Sequence, residues 1–344
     1  MTSEAPPEAA KRRPKLRGWR IGLIALAAVV LLVGGAAGVY TWSLSRTFDG
    51  QTVKIPDVFP DEASRPPAGA GERTNGQNIL LLGSDTRGAF DGSIADLTGQ
   101  RSDTIMVVHV PANRKNIYVM SIMRDSWLEI PGHGEAKVNS AMSYGGVPLA
   151  VQTIEGLLGA RIDHVAIVDF EGFKGVTNAL GGVDIDNPIA FDSSHLKGHH
   201  FPEGVQIVNG TEALAFVRER YAFADGDFQR ARNQQVFIKA VLGKTLSAET
   251  LTSPVKISGL IGAVAPYLAV DEGLNAIYAA GLGVELRDVR VDDVTFFTLP
   301  TTGTGTSPDG QSIVVIDQDK LKAVQRGFQT DTLDTYEPKV QTIR

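Results

Sequence analysis

NILLLGSDTRGAF (78–90), RSDTIMVVHV (101–110) and IYVMSIMRDS (117–126) are the three segments that decide the fold of this 344-residue chain. Each segment contains one short apolar run, at 79–82, 105–110 and 117–122 respectively. Apolar runs of this length that are rich in β-branched residues are typical of buried strands. The three segments therefore predict three strands of one buried sheet.

Charged side chains stand at the ends of these three runs: Asp85 and Arg87, Arg101 and Asp103, Arg124 and Asp125. Because an unpaired charge is costly to bury, we expect these side chains at an edge or mouth of the sheet. Carboxylates suit a hard cation such as Mg²⁺, and guanidinium groups suit phosphoryl oxygens. Two interpretations stay open on this pattern alone: a magnesium and phosphate site, or ordinary ion pairs around a sheet.

The N-terminal region predicts a single-pass membrane anchor. Residues 21–42 carry no charge, and a helix of that length spans the ~30 Å hydrocarbon core of a bilayer. Residues 1–20 hold six Lys and Arg but two Asp and Glu, so we expect a cytoplasmic basic tail and an extracytoplasmic body. A cleavable signal peptide is the alternative. We favour the uncleaved anchor because Ala36-Ala37-Gly38 lies inside the apolar run, where it is a poor cleavage site.

Composition excludes several functional classes. Six of the 33 Lys and Arg and two of the 39 Asp and Glu lie in the tail, which leaves 27 basic and 37 acidic residues elsewhere. A body with a net charge of −10 is a poor ligand for nucleic acid, and an anionic substrate would need a local arginine cluster. The chain has no cysteine, which excludes thiol catalysis and thiolate metal sites.

The remaining chain is predicted to form one α/β domain of α-β-α layers. Residues 43–77 are rich in proline and polar residues and predict a linker or irregular arm, and residues 331–344 predict a C-terminal tail. Between them, strands alternate with helices over residues 78–330 without a break in composition. Beyond the first three strands, we expect strands at 165–170, 183–185, 294–299 and 313–316, and helices at 149–158, 173–180, 211–218, 227–246, 255–264, 273–283 and 318–328.

A second charged cluster lies in AFVRERYAFADGDFQRARNQQ (215–235). It contains four arginines, and Arg230 and Gln234 share one helix face because they are four residues apart. Again two interpretations stay open. The cluster is either a solvated face that neutralises itself, or an anion clamp that meets Arg101 and Arg124 across the mouth of the sheet.

Other motifs argue against further site types. His195, His199 and His200 have no companion carboxylate at the spacing of zinc ligands. Ser84 is not in a Gly-x-Ser-x-Gly turn, and the glycines at 83 and 88 are not followed by the Lys of a P-loop. The apolar helices after residue 235 are expected in the core, with the wall of a lipid-binding slot as the alternative.

Taken together, the motifs resemble the LytR-CpsA-Psr family of cell-envelope enzymes from about Gln77 to Phe328. The resemblance is carried by NILLLGSDTR, RSDTIMVVHV, SIMRDSWLEIPGHGEAKVNSAMSYGG, the VDFEGF and ALGGVDI pair, NGTEALAFVRER and GDFQRARNQQ. It implies an α-β-α fold whose central mixed sheet opens into a hydrophobic groove for a polyprenyl chain. It also implies a Mg²⁺-dependent phosphotransferase that joins a glycopolymer from a polyprenyl diphosphate lipid to a peptidoglycan sugar hydroxyl.

The resemblance assigns roles residue by residue. Asp103 matches the magnesium ligand, and Asp85 is the second metal-binding carboxylate. Arg124 belongs to the catalytic set, and either Asp85 or Asp125 would take the proton of the acceptor hydroxyl. The positions that match or accompany the diphosphate-binding motifs are Arg87, Arg101, Arg124, Lys137, Arg218, Arg220, Arg230 and Gln234.

This chain departs from the family at Met123, where relatives commonly have proline. The change leaves the backbone before Arg124 less fixed but removes no charged group. Two other functions remain open with the same residues: a hydrolase of polyprenyl diphosphate glycans, and a lipid-binding envelope regulator without catalysis.

Overall fold

The computed structural model describes residues 39–67, 76–83, 102–251 and 253–336. It divides into two compact units, Met1–Arg46 and Thr47–Arg344. Residues 39–51 are helical (α1). Within the described ranges, no helix combines the length and apolar character needed to cross a bilayer. The predicted tail and residues 21–38 of the predicted anchor lie outside the described ranges, as do Asp85, Arg87 and Arg101.

The strands alternate with helices as the sequence predicts. The strands are β1 Val53–Ile55, β2 Gln77–Gly83, β3 Thr104–Val110, β4 Ile117–Ile122, β5 Trp127–Ile130, β6 Gly134–Lys137, β7 His164–Val168, β8 Val183–Asn187, β9 Phe191–Asp192, β10 His200–Phe201, β11 Gly204–Val208, β12 Leu268–Asp271, β13 Val294–Thr298, β14 Thr301–Thr306 and β15 Ser312–Ile316. The further helices are α2 Ser140–Leu158, α3 Phe170–Ala179, α4 Gly210–Arg218, α5 Asp227–Thr245, α6 Ala248–Leu251, α7 Pro254–Val264, α8 Ala276–Glu285 and α9 Gln318–Gln329.

In the described part of the chain, seven strands form a mixed central sheet in the order β1-β12-β7-β2-β3-β4-β13. The three strands that the sequence predicts first, β2, β3 and β4, are neighbours and pair antiparallel. On the other side, β7 runs parallel to β2. The ends of β2, β4 and β7 and the start of β3 therefore meet at one edge of the sheet.

Apolar side chains of the strands alternate between the two faces of the sheet, and helices cover both faces. Leu80 and Met120 are fully buried on one face, in a core that also contains buried side chains of α2 and α9. Met106 and Val119 face the opposite side, where Ile238 of α5 packs against them. Side chains of successive strand residues point to opposite faces, so one sheet supplies both cores. This confirms the prediction of an α/β fold with a central mixed sheet.

A smaller layer extends the α5 face. Strands β8 and β11 pair antiparallel, and β9, which follows β8 in the chain, pairs antiparallel with β10. Their buried side chains, including Phe201, pack against Phe216 of α4 and Phe237 of α5. Residues 192–204 contain part of β9 and the short strand β10, and aromatic side chains pack Phe191 and Phe201 against each other.

The structure also differs from the sequence prediction elsewhere. Strands β5, β6, β11 and β14 and helix α6 were not predicted, and three further segments differ for identifiable reasons. Strand β1 lies in the segment expected to be a linker and pairs with β12, so the ordered body begins before residue 78. Strand β12 itself was not predicted, because its four residues stand between two apolar helical patterns. Helix α2 begins at Ser140 rather than at the predicted residue 149. A kink at Gly146, which has a φ of 65°, separates its first turns from the rest, so only the part after the kink follows the predicted helical pattern.

Candidate active site

The register of β3 and β4 brings two predicted site residues together. Ile105 is paired with Ile122, so residues two positions beyond them, Asp103 and Arg124, extend past the same end of the pair. Arg124 Nη1 donates a hydrogen bond of 2.7 Å to Asp103 Oδ1. Such a charge-assisted bond is among the strong ones in proteins.

The second arginine cluster meets the first at Asp227. This residue begins α5, where a carboxylate is favourable at the positive end of the helix dipole. Arg124 Nε donates to Asp227 Oδ2 at 3.3 Å. Asp227 Oδ1 lies 3.5 Å from Arg220 Nη1 and 3.2 Å from Arg230 Nη2. Three arginines from three separate segments therefore surround one carboxylate, whose side chain is only 17% exposed.

The environment shifts the pKa of two of these arginines in opposite directions. Burial lowers the pKa of Arg230, and the attraction of Asp227 does not outweigh it. Burial also acts to lower the pKa of Arg124, but the hydrogen bond to Asp103 and the carboxylate charges of Asp227 and Asp125 raise it overall. Arginine stays protonated in proteins, so both remain cations that can bind an anion.

Asp125 and Lys137 adjoin this network from the β5–β6 hairpin side. Asp125 Oδ1 lies 3.3 Å from Lys137 Nζ, and Asp125 Oδ2 lies 3.7 Å from Arg124 Nε. Met123 stands before Arg124 and is 4% exposed, packed with Ala231 of α5. Buried packing therefore holds the backbone directly before Arg124.

Gln234 and Arg218 complete the set of predicted residues that the structure describes. Gln234 Nε2 donates to Thr104 Oγ1 at 3.0 Å, which links α5 to the first residue of β3. The guanidinium carbon of Arg218 lies 4.6 Å from the centre of the Phe170 ring, within the range of a cation–π contact. His195 Nε2 donates to the Arg218 carbonyl at 3.1 Å.

One cavity of about 360 Å³ lies between the sheet and helices α3, α4 and α5. Asp103, Gln234 and four of the arginines line it, whereas Asp125, Lys137 and Asp227 do not. Asp103 and the arginines at 124, 218, 220 and 230 stand at one part of its wall. The rest is largely apolar: Leu81, Leu82, Met106, Val168, Phe170, Phe173, Leu214, Val217, Phe237 and Ile238. A cavity with this division suits a ligand that has an anionic group and an apolar chain.

The structure describes one of the two carboxylates that are expected to bind a metal. Asp103 has a side chain that is 38% exposed, and only its Oδ1 accepts from Arg124, so the carboxylate fits a cation beside a phosphate group. Asp85, its expected companion, lies outside the described residues. Among those that are described, no three His, Asp or Glu side chains group in a way that would hold a metal. His200, one of the three histidines considered in the sequence, has its Nδ1 2.7 Å from Asp192 Oδ1.

Sequence reasoning did not single out Asp227, Phe170 or Tyr221, which all contact the predicted residues. Asp227 was treated as one member of a mixed charge run. Its position directly after a glycine and at the start of a long helical pattern was the available signal. Phe170 follows Asp169, whose side chain caps α3 by accepting from Gly172 N at 2.6 Å. A cap between a strand and a helix marks a sheet edge, where ligands bind.

The chain is similar to known proteins in sequence. The model of the LytR_cpsA_psr family matches residues 47–330. The polyisoprenyl-teichoic acid–peptidoglycan teichoic acid transferase TagU of Bacillus mycoides is 34% identical over 246 residues, which cover 70% of this chain and 75% of TagU. The cell wall biosynthesis protein LcpA of Corynebacterium glutamicum is 31% identical over 286 residues, covering 72% of this chain and 54% of LcpA. The match thus spans about half the length of LcpA.

Solved structures share the fold. The crystal structure of Bacillus subtilis TagV has a TM-score of 0.63 and 27% identity, covering 76% of this chain and 98% of TagV. A structure of TagT bound to LI-WTA has a TM-score of 0.60 and 27% identity, covering 80% of this chain and 98% of TagT.

Proposed function

Because this chain belongs to the LytR-CpsA-Psr family, whose members transfer glycopolymers from polyprenyl carriers to peptidoglycan, we propose that it performs this transfer in cell wall assembly. The donor is a glycopolymer on a polyprenyl diphosphate. The acceptor is a sugar hydroxyl of peptidoglycan, and the product is a phosphodiester between them.

The observation that carries the proposal is the convergence of Arg124, Arg220 and Arg230 at one part of a largely apolar cavity. A diphosphate carries several negative charges. Three guanidinium groups and one carboxylate have a net positive charge, which can bind such an anion. The apolar wall suits the lipid chain, because burial of each CH₂ group is favourable by about 0.8 kcal/mol.

In the reaction, the acceptor oxygen attacks the phosphorus that carries the glycan, and a new P–O bond forms. The bond between this phosphorus and the bridging oxygen breaks, and polyprenyl phosphate leaves with that electron pair. The acceptor proton goes to a carboxylate, for which Asp125 is available beside Arg124 at 3.7 Å. Asp85 is the alternative base. The arginines neutralise the charge that develops on the phosphoryl oxygens.

Magnesium is part of this proposal. Asp103, with Asp85, would hold Mg²⁺, which supplies further neutralisation of diphosphate charge when bound. The exposed part of the Asp103 carboxylate faces the arginine-lined cavity and supports this assignment. Lys137 acts through Asp125, since its ammonium lies 3.3 Å from that carboxylate.

The membrane arrangement is also proposed. Residues 21–42 would anchor the chain in the cell membrane, with a cytoplasmic N-terminus and an extracytoplasmic catalytic domain. The support is the uncharged segment and its basic flank. An anchor keeps the site near a substrate that is itself in the bilayer.

The test uses the full-length protein in bilayer nanodiscs with a radiolabelled polyprenyl diphosphate oligosaccharide, peptidoglycan fragments and Mg²⁺. We expect label on peptidoglycan, and loss of that label with Arg124→Ala, with Asp103→Ala and with a chelator. Arg232→Ala is the matched control, because this arginine lies on α5 near the site but pairs with Asp225 and Gln229.

Two results would replace the proposal. Release of free phosphorylated glycan in the presence of excess acceptor would identify a hydrolase. Tight binding of the lipid without turnover would identify a binding protein or regulator.

A further inference from the structure

The turn between α4 and α5 is held by a buried carboxylate. Glu219 is 0% exposed, and it accepts hydrogen bonds from Ser194 N at 2.6 Å and from Ser194 Oγ at 2.9 Å. It also accepts from three consecutive backbone N–H groups, those of residues 220, 221 and 222, at 3.0, 3.0 and 3.3 Å. A charged group with this many donors fixes the backbone of the turn.

The side chain displayed by this fixed turn is an exposed aromatic ring. Tyr221 is 69% exposed, although its own backbone N–H and those of its two neighbours donate to Glu219. A large ring that the fold leaves in water gains nothing from burial and so contributes little to stability. The turn therefore presents an exposed ring at the cavity, where a ligand can contact it.

Tyr221 lies beside the anion-binding arginines. It lines the cavity together with His195, whose ring centre is 6.2 Å away. The guanidinium carbon of Arg220 lies 4.6 Å from the ring centre, and Arg220 Nη2 donates to the phenol oxygen at 2.6 Å. Because Arg220 also lies 3.5 Å from Asp227, a single guanidinium separates the ring from the centre of the arginine cluster.

The chemistry of an open aromatic face selects its ligand. The face of the ring is negative, and it attracts C–H groups that carry partial positive charge. A pyranose ring presents several such groups on one face and hydroxyls around its edge. Arg220 lies over one face of the ring and also holds the phenol oxygen, and His195 Nε2 donates to a carbonyl. The ring face opposite Arg220 is therefore the contact that remains for a ligand.

We propose that Tyr221, with His195 at its side, is a stacking surface for a pyranose ring next to the diphosphate. This subsite rests on the proposed transferase function and extends it to sugar recognition. The pyranose is either the first sugar of the donor glycan or the acceptor sugar of peptidoglycan, because both must approach the phosphorus that reacts.

The experiment compares full-length Tyr221→Ala, Tyr221→Phe and Tyr221→Trp in nanodiscs. Two donor lipids are used for binding: a polyprenyl diphosphate without sugar, and the same lipid with one N-acetylhexosamine. Tyr144→Ala is the matched control, since Tyr144 is also exposed, at 51%, and stacks on His133 with ring centres 4.8 Å apart. Tyr144 does not line the cavity.

If the donor sugar stacks on Tyr221, Tyr221→Ala weakens binding of the glycosylated lipid roughly tenfold and changes the bare lipid less than about twofold. Tyr221→Phe and Tyr221→Trp retain binding, because they keep a ring face. If the acceptor sugar stacks there, lipid binding is unchanged and Tyr221→Ala raises the KM for peptidoglycan fragments instead. Either result supports the subsite.

If Tyr221→Ala binds each lipid as tightly as the wild type does and has an unchanged acceptor KM, the subsite is overturned, while transfer by the wild-type protein would leave the transferase function standing. Failure of the wild-type protein to bind either lipid or to transfer label would overturn the function, and the subsite with it.

Discussion

Arg124 Nη1 lies 2.7 Å from Asp103 Oδ1, and this contact joins the end of β4 to the start of β3. The same guanidinium donates through Nε to Asp227 on α5 at 3.3 Å. Arg124 thus holds together two carboxylates that come from the sheet and from a helix. Its planar guanidinium can donate hydrogen bonds to both carboxylates at once, whereas the ammonium group of a lysine is a single point charge.

Arg124→Lys should therefore abolish most transfer although it preserves the charge. We expect kcat/KM to fall about 100-fold or more, because lysine cannot reach Asp103, Asp227 and a phosphoryl oxygen in the same geometry. Steady-state transfer of labelled glycan measures this. Arg232→Lys, which alters an α5 arginine outside the cavity lining, should change kcat/KM less than about threefold. Comparable losses in both variants would refute the special role of Arg124.

Glu219→Gln should destabilise the protein and change its response to acid. Burial acts to raise the pKa of Glu219, but the hydrogen bonds from Ser194, Ala222 and Arg220 lower it below its ordinary value of 4.5. A carboxyl with a depressed pKa in the folded state adds stability above its unfolded pKa and loses it as pH falls. Removing the charge should cost about 2 kcal/mol at neutral pH.

Denaturant unfolding at a series of pH values between neutral and acid would measure this. The difference between wild type and Glu219→Gln should be full near pH 7 and shrink below about pH 4.5, where the carboxyl of the unfolded chain becomes protonated, and it should be lost once the pH falls below the lowered pKa of the folded state. Glu203→Gln, at an exposed position of the neighbouring segment, is the matched control and should follow the wild-type curve. A gap that stays constant with pH would contradict the assignment.

The sequence allowed the central strands and one half of the site to be predicted. The apolar runs with charged ends gave β2, β3 and β4, and antiparallel pairing of β3 with β4 is sufficient to place Asp103 near Arg124. The position of Asp227 could not be predicted in the same way. It depends on how α5 lies across the sheet, and a local pattern of charges carries no information about that long-range packing.

Very short strands were the other feature that the sequence did not allow us to predict. Strand β1 has three residues and β12 has four, too few for an alternating pattern to be recognised. Each is stabilised by its neighbour in the sheet rather than by its own sequence, since the value of a residue in a strand depends on its pairing context. The Pro-rich surroundings of β1 and the apolar helices around β12 concealed them further.

Asp331→Ala should destabilise the fold without affecting the chemistry. His109 is 1% exposed, and its Nε2 lies 2.8 Å from Asp331 Oδ1, while Ala112 N donates to Asp331 Oδ2 at 3.0 Å. Asp331 also has a φ of 53°, in the left-handed region. Loss of the carboxylate leaves two polar groups without this partner, so we expect a fall of about 2–4 kcal/mol in unfolding free energy.

Denaturant unfolding measures that change, with Asp334→Ala as the control at an exposed position of the same segment. The control should shift stability by less than about 0.5 kcal/mol. Since Asp331 does not line the site cavity, transfer per folded molecule should be unchanged. A loss of specific activity with intact folding would show that the C-terminal segment acts on the site.

Asp227→Asn tests whether the three arginines form an anion site that this carboxylate keeps assembled. In the described part of the chain, Asp227 Oδ1 is buried and accepts no hydrogen bond, so its contacts with Arg220 and Arg230 are ion pairs at 3.5 and 3.2 Å. Without the carboxylate, like charges face each other with little solvent screening. We expect a loss of about 2–4 kcal/mol in unfolding free energy.

Added pyrophosphate should restore part of that stability, because an anion that binds only the folded state replaces the missing charge. Thermal unfolding with and without pyrophosphate is the measurement, and the upward shift in Tm should be larger for Asp227→Asn than for the wild type. Asp225→Asn removes a carboxylate that pairs with Arg232 and is 46% exposed, so it should respond to pyrophosphate as the wild type does. Equal shifts in all three proteins would mean that the anion binds elsewhere, and Asp227 would then be a structural ion-pair partner with no part in arranging the site.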